Sequence, residues 1–287
     1  MLKLIDVPSI FRQITVTLAV LSLLSAWSLQ RTSAKDFRIY TSVADESKPN
    51  AKPVVVARSL TMFRAGKVYD YMDQLGELVV FEPSLQRFIV LNGSLGMQTE
   101  VGFPLINQHL SVSEQKAKEL LSLKPGQPDA LNASDAAFLN FQLNPQFQIT
   151  GRASDSVLTM SSPHLTYQVK VSTDVEKETL TSYFHYVDWT AKLNRILHPQ
   201  AMFPQPRLVV NQELKTRGCM PKSVTLRMSL PEPRQLKADH QIQWELDESD
   251  RTWINDWEKL LKDPEIKAVP LVEYQKLFLA DQVSASR

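Results

Sequence analysis

Five histidines, one cysteine and 31 acidic residues are the groups from which this 287-residue chain could build a reactive centre. His109, His164, His185, His198 and His240 are scattered, with no pair at i,i+4 and no Cys-x-x-Cys among them. His185 and Asp188 come nearest to a ligand pair, on one face of a predicted helix, but zinc needs at least a third converging ligand. The pattern predicts partly buried or solvated histidines and no metal site. Cys219 follows Gly218 at a predicted helix C-terminus, whose partial negative charge opposes thiolate formation. It reads as a packing residue. No Gly-x-Ser-x-Gly elbow occurs, and Gly93-Ser94-Leu95-Gly96 lacks the spacing and the lysine of a phosphate loop. Asp247, Glu248 and Asp250 cluster ahead of a predicted helix, where acids cap the chain and meet the helix dipole favourably. No cofactor is implied, and no residue is singled out as catalytic.

The aromatic residues are the stronger lead. Tyr183, Phe184, Tyr186 and Trp189 crowd one predicted helix. Trp253 and Trp257 share a face of another, and Trp244 lies on the strand before it. Aromatics at helical spacing ordinarily form core between helix and sheet. The functional alternative is an apolar cavity between sheet and helices, bordered by Tyr183, Tyr186, Trp189 and Trp244, that holds a greasy ligand.

The elements that must position these residues follow from periodicity. Residues 54–63, 68–72, 77–82 and 87–91 read as short strands separated by the turns Ala65-Gly66-Lys67, Asp73–Gly76 and Pro83–Gln86. Helices are expected from the capping box at Ser111 to about Leu123, and over Ser134–Leu143. Strands follow at 147–152, 156–161 and 164–171. A second capping box at Thr173 opens a long helix to about Leu197, and a further helix begins at Pro206 and ends before Gly218. Strands at 223–230 and 236–246, then helices at about 249–262 and 270–280, complete the chain. The alternating strands predict an α+β fold, a curved antiparallel sheet with helices packed on one face.

The first 34 residues carry a different message. Lys3 and Arg12 precede an uncharged run from Gln13 to Gln30, and Thr32-Ser33-Ala34 are small residues suited to signal peptidase. The segment reads as an export signal, with an uncleaved membrane anchor as the rival, because the run approaches spanning length. No cysteine lies near position 34, so it is not a lipoprotein signal. The expected organisation is a signal or anchor over 1–34, a flexible lead-in over 35–52, and a single α+β domain over 53–287. The location implied is periplasmic or extracellular, with membrane association through the N-terminal segment if it is retained. Setting aside Lys3, Arg12, Arg31 and Asp6, the 32 basic and 31 acidic residues leave a net charge of −1. That argues against a nucleic-acid groove, which needs clustered positive charge.

The segment Gly66-Lys67-Val68-Tyr69-Asp70-Tyr71, followed by Val80-Phe81-Glu82-Pro83-Ser84-Leu85-Gln86-Arg87, resembles the meander of periplasmic lipoprotein-carrier proteins. The likeness covers residues 62–101, and the chain as a whole resembles bacterial secreted proteins. The carrier likeness implies an open half-barrel covered by helices and holding acyl chains, with a lipid or lipoprotein as partner. It carries over no binding residue. The chain begins with strands where those carriers have a helix, and its part from Thr173 onward matches nothing in them. Three functions stay open: a lipid-binding envelope protein, a structural or interaction protein of the envelope without a small ligand, and a hydrolase using carboxylates.

Overall fold

β4 (Glu77–Glu82) shows how the sheet is built. Val79 and Phe81 turn to one face, Leu78 and Val80 to the other, and all four are buried. A strand apolar on both sides must be covered on both sides. Its neighbours form a meander: β1 (Phe37–Asp45), β2 (Val54–Arg64) and β3 (Lys67–Met72) before it, β5 (Arg87–Asn92) and β6 (Met97–Gly102) after it. Helices α1 (Phe103–Ser122) and α2 (Ala133–Leu143) lead to β7 (Gln148–Thr150), β8 (Val157–Ser161) and β9 (Leu165–Ser172). Next come α3 (Lys177–Leu197), α4 (Gln205–Thr216), β10 (Met220–Met228) and β11 (Arg234–Gln243). Then follow α5 (Glu248–Leu260), the short β12 (Lys267–Ala268) and α6 (Leu271–Ala285). This computed structural model describes residues 35–48, 50–124, 126–152, 155–229 and 232–285, so the expected export segment lies outside the described residues.

The strands form one open sheet in the order β12-β6-β5-β4-β3-β2-β1-β11-β10-β9-β8-β7. All neighbours are antiparallel except β12, which lies parallel to β6. The molecule is therefore α+β, a curved antiparallel sheet with helices on it, as the alternation predicts. One face, here called inner, carries the larger core. Phe37, Phe63, Phe81 and Phe88 of the sheet pack there with Phe103 of α1, Phe141 of α2, Phe184 of α3, Leu214 of α4 and Tyr274 of α6. Of the described helices, five thus share the inner face and α5 alone lies on the outer face, where Ile254 joins Met62, Tyr69, Leu78, Val80 and Leu91.

The region expected as a flexible lead-in contains β1, which pairs with β2 on one side and β11 on the other. Its middle, Tyr40-Thr41-Ser42, is polar and only half-buried, so it carries no apolar signature. Both ladders satisfy its backbone, and Phe37 anchors its start by stacking on Phe63 with ring centroids 4.1 Å apart. α1 begins at Phe103 instead of Ser111. Pro104 falls in its first turn, where a missing N–H costs nothing, and Phe103, Ile106 and Leu110 turn inward. The Ser111 capping sequence is helix interior. The Thr173 box does not form either: α3 starts at Lys177 with no side-chain cap. The expected cap at Gly218 is present, with a φ of 65° and the Cys219 N–H donating to the Leu214 carbonyl at 2.9 Å.

Candidate functional site

Small residues leave a gap between α3, α4 and the sheet. Ala191 of α3, Ala201 of the connecting loop and Ala238 of β11 face one another across it. Val43, Ala238 and Val224 stand side by side on β1, β11 and β10 and form the floor. The result is a cavity of about 500 Å³, walled by Tyr167, Val187, Met202, Phe203, Pro204 and Pro206 among others. Its polar lining is sparse: Thr190, Asn194, Arg207 and His240.

The walls are held rigidly. The Tyr186 hydroxyl donates to Asp70 at 2.7 Å and the Thr61 hydroxyl donates to the same carboxylate at 2.8 Å, which ties α3 to β3. Burial raises Asp70 above the ordinary carboxylate value, against the pull of these hydrogen bonds. Asn211 of α4 donates to Asp188 of α3 at 2.7 Å. The loop 198–204 is strapped down by Arg195, which donates to the Pro199 and Ala201 carbonyls and lies over the Phe203 ring. The Gln142 carbonyl oxygen accepts from the Phe203 N–H at 2.9 Å from the other side.

His240 sits on the floor with Nδ1 hydrogen-bonded to the Thr41 hydroxyl at 2.9 Å, and its Nε2 is buried without a partner. Burial, reinforced by the Arg207 charge, depresses it to about 4, so the ring is neutral near pH 7. Arg207 acts also on Tyr167 and Tyr183, which burial raises above the ordinary phenol value and the guanidinium pulls back.

A second hollow lies on the outer face. The Tyr40 and Leu60 side chains, paired in register, and Tyr71 form its floor, with Trp253 and Trp257 of α5 as one wall. Its volume is about 570 Å³. Trp257 stacks on Tyr71 with centroids 5.8 Å apart, and Trp253 is 47% exposed. Arg38 at its rim donates to Asp250 at 2.5 Å and lies 3.5 Å from Asp247. Those two acids also form a reciprocal capping box for α5, the structural role expected of them.

Of the four aromatics named from sequence, none borders the inner cavity. Tyr183 and Tyr186 are buried in the core, Trp189 stacks on Phe103 with centroids 3.6 Å apart, and Trp244 lies half-exposed beside Phe37. On the same helix, Val187, Thr190, Ala191 and Asn194 look into the cavity instead. The signal that marks them is negative, a run of small and short side chains beside an aromatic stripe. Arg207 and His240 lay in sequence contexts that say nothing of a cavity.

Cys219 is buried, its Sγ 3.5 Å from the Arg217 carbonyl, and burial raises its thiol. His185 packs edge-on to Phe81 while Asp188 turns to Asn211, so the two do not act together. Among the described residues no three His, Cys, Asp or Glu side chains converge as a metal site. None of the described helices is long and apolar enough to cross a membrane. No protein-family model matches the chain, and comparison with curated proteins finds no match.

Proposed function

We propose that this is an exported envelope protein that holds a lipid, or the lipid group of a modified partner, in the inner cavity. The carrying observation is the cavity itself. It has about 500 Å³ of space between sheet and helices, apolar on most sides and fixed in shape by Tyr186, Arg195, Gln142 and Asn211. Small-molecule sites are concave, largely apolar and on the order of 300–1,000 Å³. The basic, apolar and small-residue order of the first 34 residues supports export. Cleavage after Ala34 would leave Lys35 and Asp36 ahead of β1. The meander likeness of residues 62–101 to lipoprotein carriers points the same way.

Native mass spectrometry of protein purified without detergent tests the binding role. The expected result is a lipid-mass adduct, or one formed on adding palmitate, that disappears in Ala238→Trp. The indole fills the cavity at a cost of about 1–3 kcal/mol in stability. A uniformly ligand-free protein that ignores palmitate overturns the reading. N-terminal sequencing of the mature protein tests export: a start at Lys35 supports a cleaved signal, and an intact Met1 in the membrane fraction supports an anchor.

A second reading, an envelope interaction protein without a small ligand, draws on Val54, Val55 and Val56, which are 63%, 43% and 46% exposed. Contiguous exposed apolar residues of this kind mark partner surfaces. It gains if palmitate does not bind and substituting these valines by threonine disrupts a complex in cross-linked envelope fractions.

A further inference from the structure

Arg207 is unlike the other arginines of the described chain. Arg38, Arg64, Arg87, Arg195 and Arg217 are half-buried as it is, and each donates to a carboxylate, an amide or backbone carbonyl oxygens. Arg207 is half-buried too, and no hydrogen bond, ion pair or ring contact engages it among the described residues. The arginines Arg58 and Arg251 also lack a partner, but they are exposed and water satisfies them. Arg207 instead stands in the wall of the inner cavity, in the first turn of α4, against Pro206, Tyr167 and the apolar floor. A guanidinium there has five donors and no acceptor among the described residues, an arrangement that an oxyanion would complete.

His240 borders the same cavity, but its unpartnered Nε2 is enclosed by protein. Its Nδ1 is fixed by Thr41. Among the described residues no carboxylate borders the cavity to compete for the guanidinium. Apart from Thr190 and Asn194, the remaining lining is apolar and offers a chain of methylenes van der Waals contact.

We propose that the occupant of the cavity is a single-chain amphiphile with an oxyanion head, the head bound by Arg207 beside His240 and the chain laid over Val43, Val224 and Ala238. This rests on the reading of the cavity as a lipid site and narrows it to an acidic lipid. The guanidinium fork suits a carboxylate or a phosphate equally, and the experiment separates the two.

Binding of palmitate, hexadecanol, a lysophosphatidate and acetate to the intact protein is measured by calorimetry at about pH 8, where a carboxylate is ionised. Palmitate is expected to bind at least about tenfold more tightly than hexadecanol, the ratio that one charge-assisted fork supplies. Lysophosphatidate binding more tightly than palmitate would identify a phosphate head, and the reverse a carboxylate; either supports the oxyanion. In Arg207→Gln the acid-over-alcohol ratio falls to about one, and in Arg207→Lys, which keeps the charge without the fork, it stays between the two. Equal binding of palmitate and hexadecanol to the wild type overturns the oxyanion while leaving the lipid site standing. Acetate binding as tightly as palmitate makes the site an anion pocket and overturns the amphiphile. No binding of any chain overturns the lipid site and this inference together. The wild-type comparison needs no variant, so a misfolded Arg207→Gln does not leave the question open.

Discussion

The inner cavity and the outer cleft differ little in volume, about 500 against about 570 Å³, yet they treat charge in opposite ways. At the outer cleft Arg38 is spent on the structure, tied to Asp250 and Asp247 at the start of α5. At the inner cavity Arg207 is half-buried and has no partner among the described residues. The outer cleft is floored by Tyr40, Leu60 and Tyr71 and walled by Trp253 and Trp257 of a single helix. The inner one is bounded by two helices and a loop that separate hydrogen bonds lock in place. The inner hollow holds a half-buried cation without a partner among the described residues, whereas at the outer one Arg38 is paired and Arg58 is exposed to water.

The largest effect that would sharpen this contrast is on the inner core. Phe37→Ala removes a fully buried ring stacked on Phe63 and should cost about 3–5 kcal/mol in denaturant unfolding. A loss well under ~1 kcal/mol would break the claim that the inner face carries the fold. Arg38→Gln comes next. It strips the cation from Asp250, which is completely buried, and should cost about 2–3 kcal/mol while leaving palmitate affinity unchanged. If palmitate binding weakened instead, the two hollows would not be separate systems.

A smaller effect follows from His240. Its folded-state value near 4 lies below the 6.5 of the free side chain, so the unfolded state takes up protons first on acidification. The stability contributed by the neutral ring is complete above about 6.5 and lost as pH falls towards 4. For a half-buried group this is on the order of 2 kcal/mol. Proton NMR of the ring should follow the low value, and palmitate, by offsetting the Arg207 charge, should raise it. A ring titrating at 6.5 in the free protein would break the picture of a His240 ring buried by its protein neighbours. The smallest effect is at the outer wall: Trp253→Ala, at 47% exposure, should change stability by less than about 0.5 kcal/mol and leave palmitate binding intact.

The sequence made strands legible where apolar residues fell on both faces. β2 to β5 were expected within a residue or two of their bounds, because Val79, Val80 and Phe81 leave no reading but a covered strand. β1 was missed because what holds Tyr40-Thr41-Ser42 is backbone pairing to strands that end at residues 64 and 243, which no local pattern reports. The same limit applies to the site. An aromatic stripe on α3 announced contact with the sheet, and core is what Tyr183 and Tyr186 form. A cavity is made by what is absent, Ala191 and Ala238 in place of larger residues, and by loop 198–204 folding back through Arg195. Those are tertiary facts. Arg207 looked like any helical arginine until its neighbours were known to be tyrosines and prolines.

The central place of β1 governs how the chain can fold. The strand is made early, but β11, one of its two partners, is almost two hundred residues further on. Until residue 243 has emerged, the meander from β1 to β6 has an unpaired edge along β1, and the floor of the cavity does not exist. Long-range pairing of this kind is slow, and an open edge is a template for pairing with another molecule. Acquisition of ligand binding should therefore wait, in refolding, on the pairing of β11 with β1 that lays down the cavity floor.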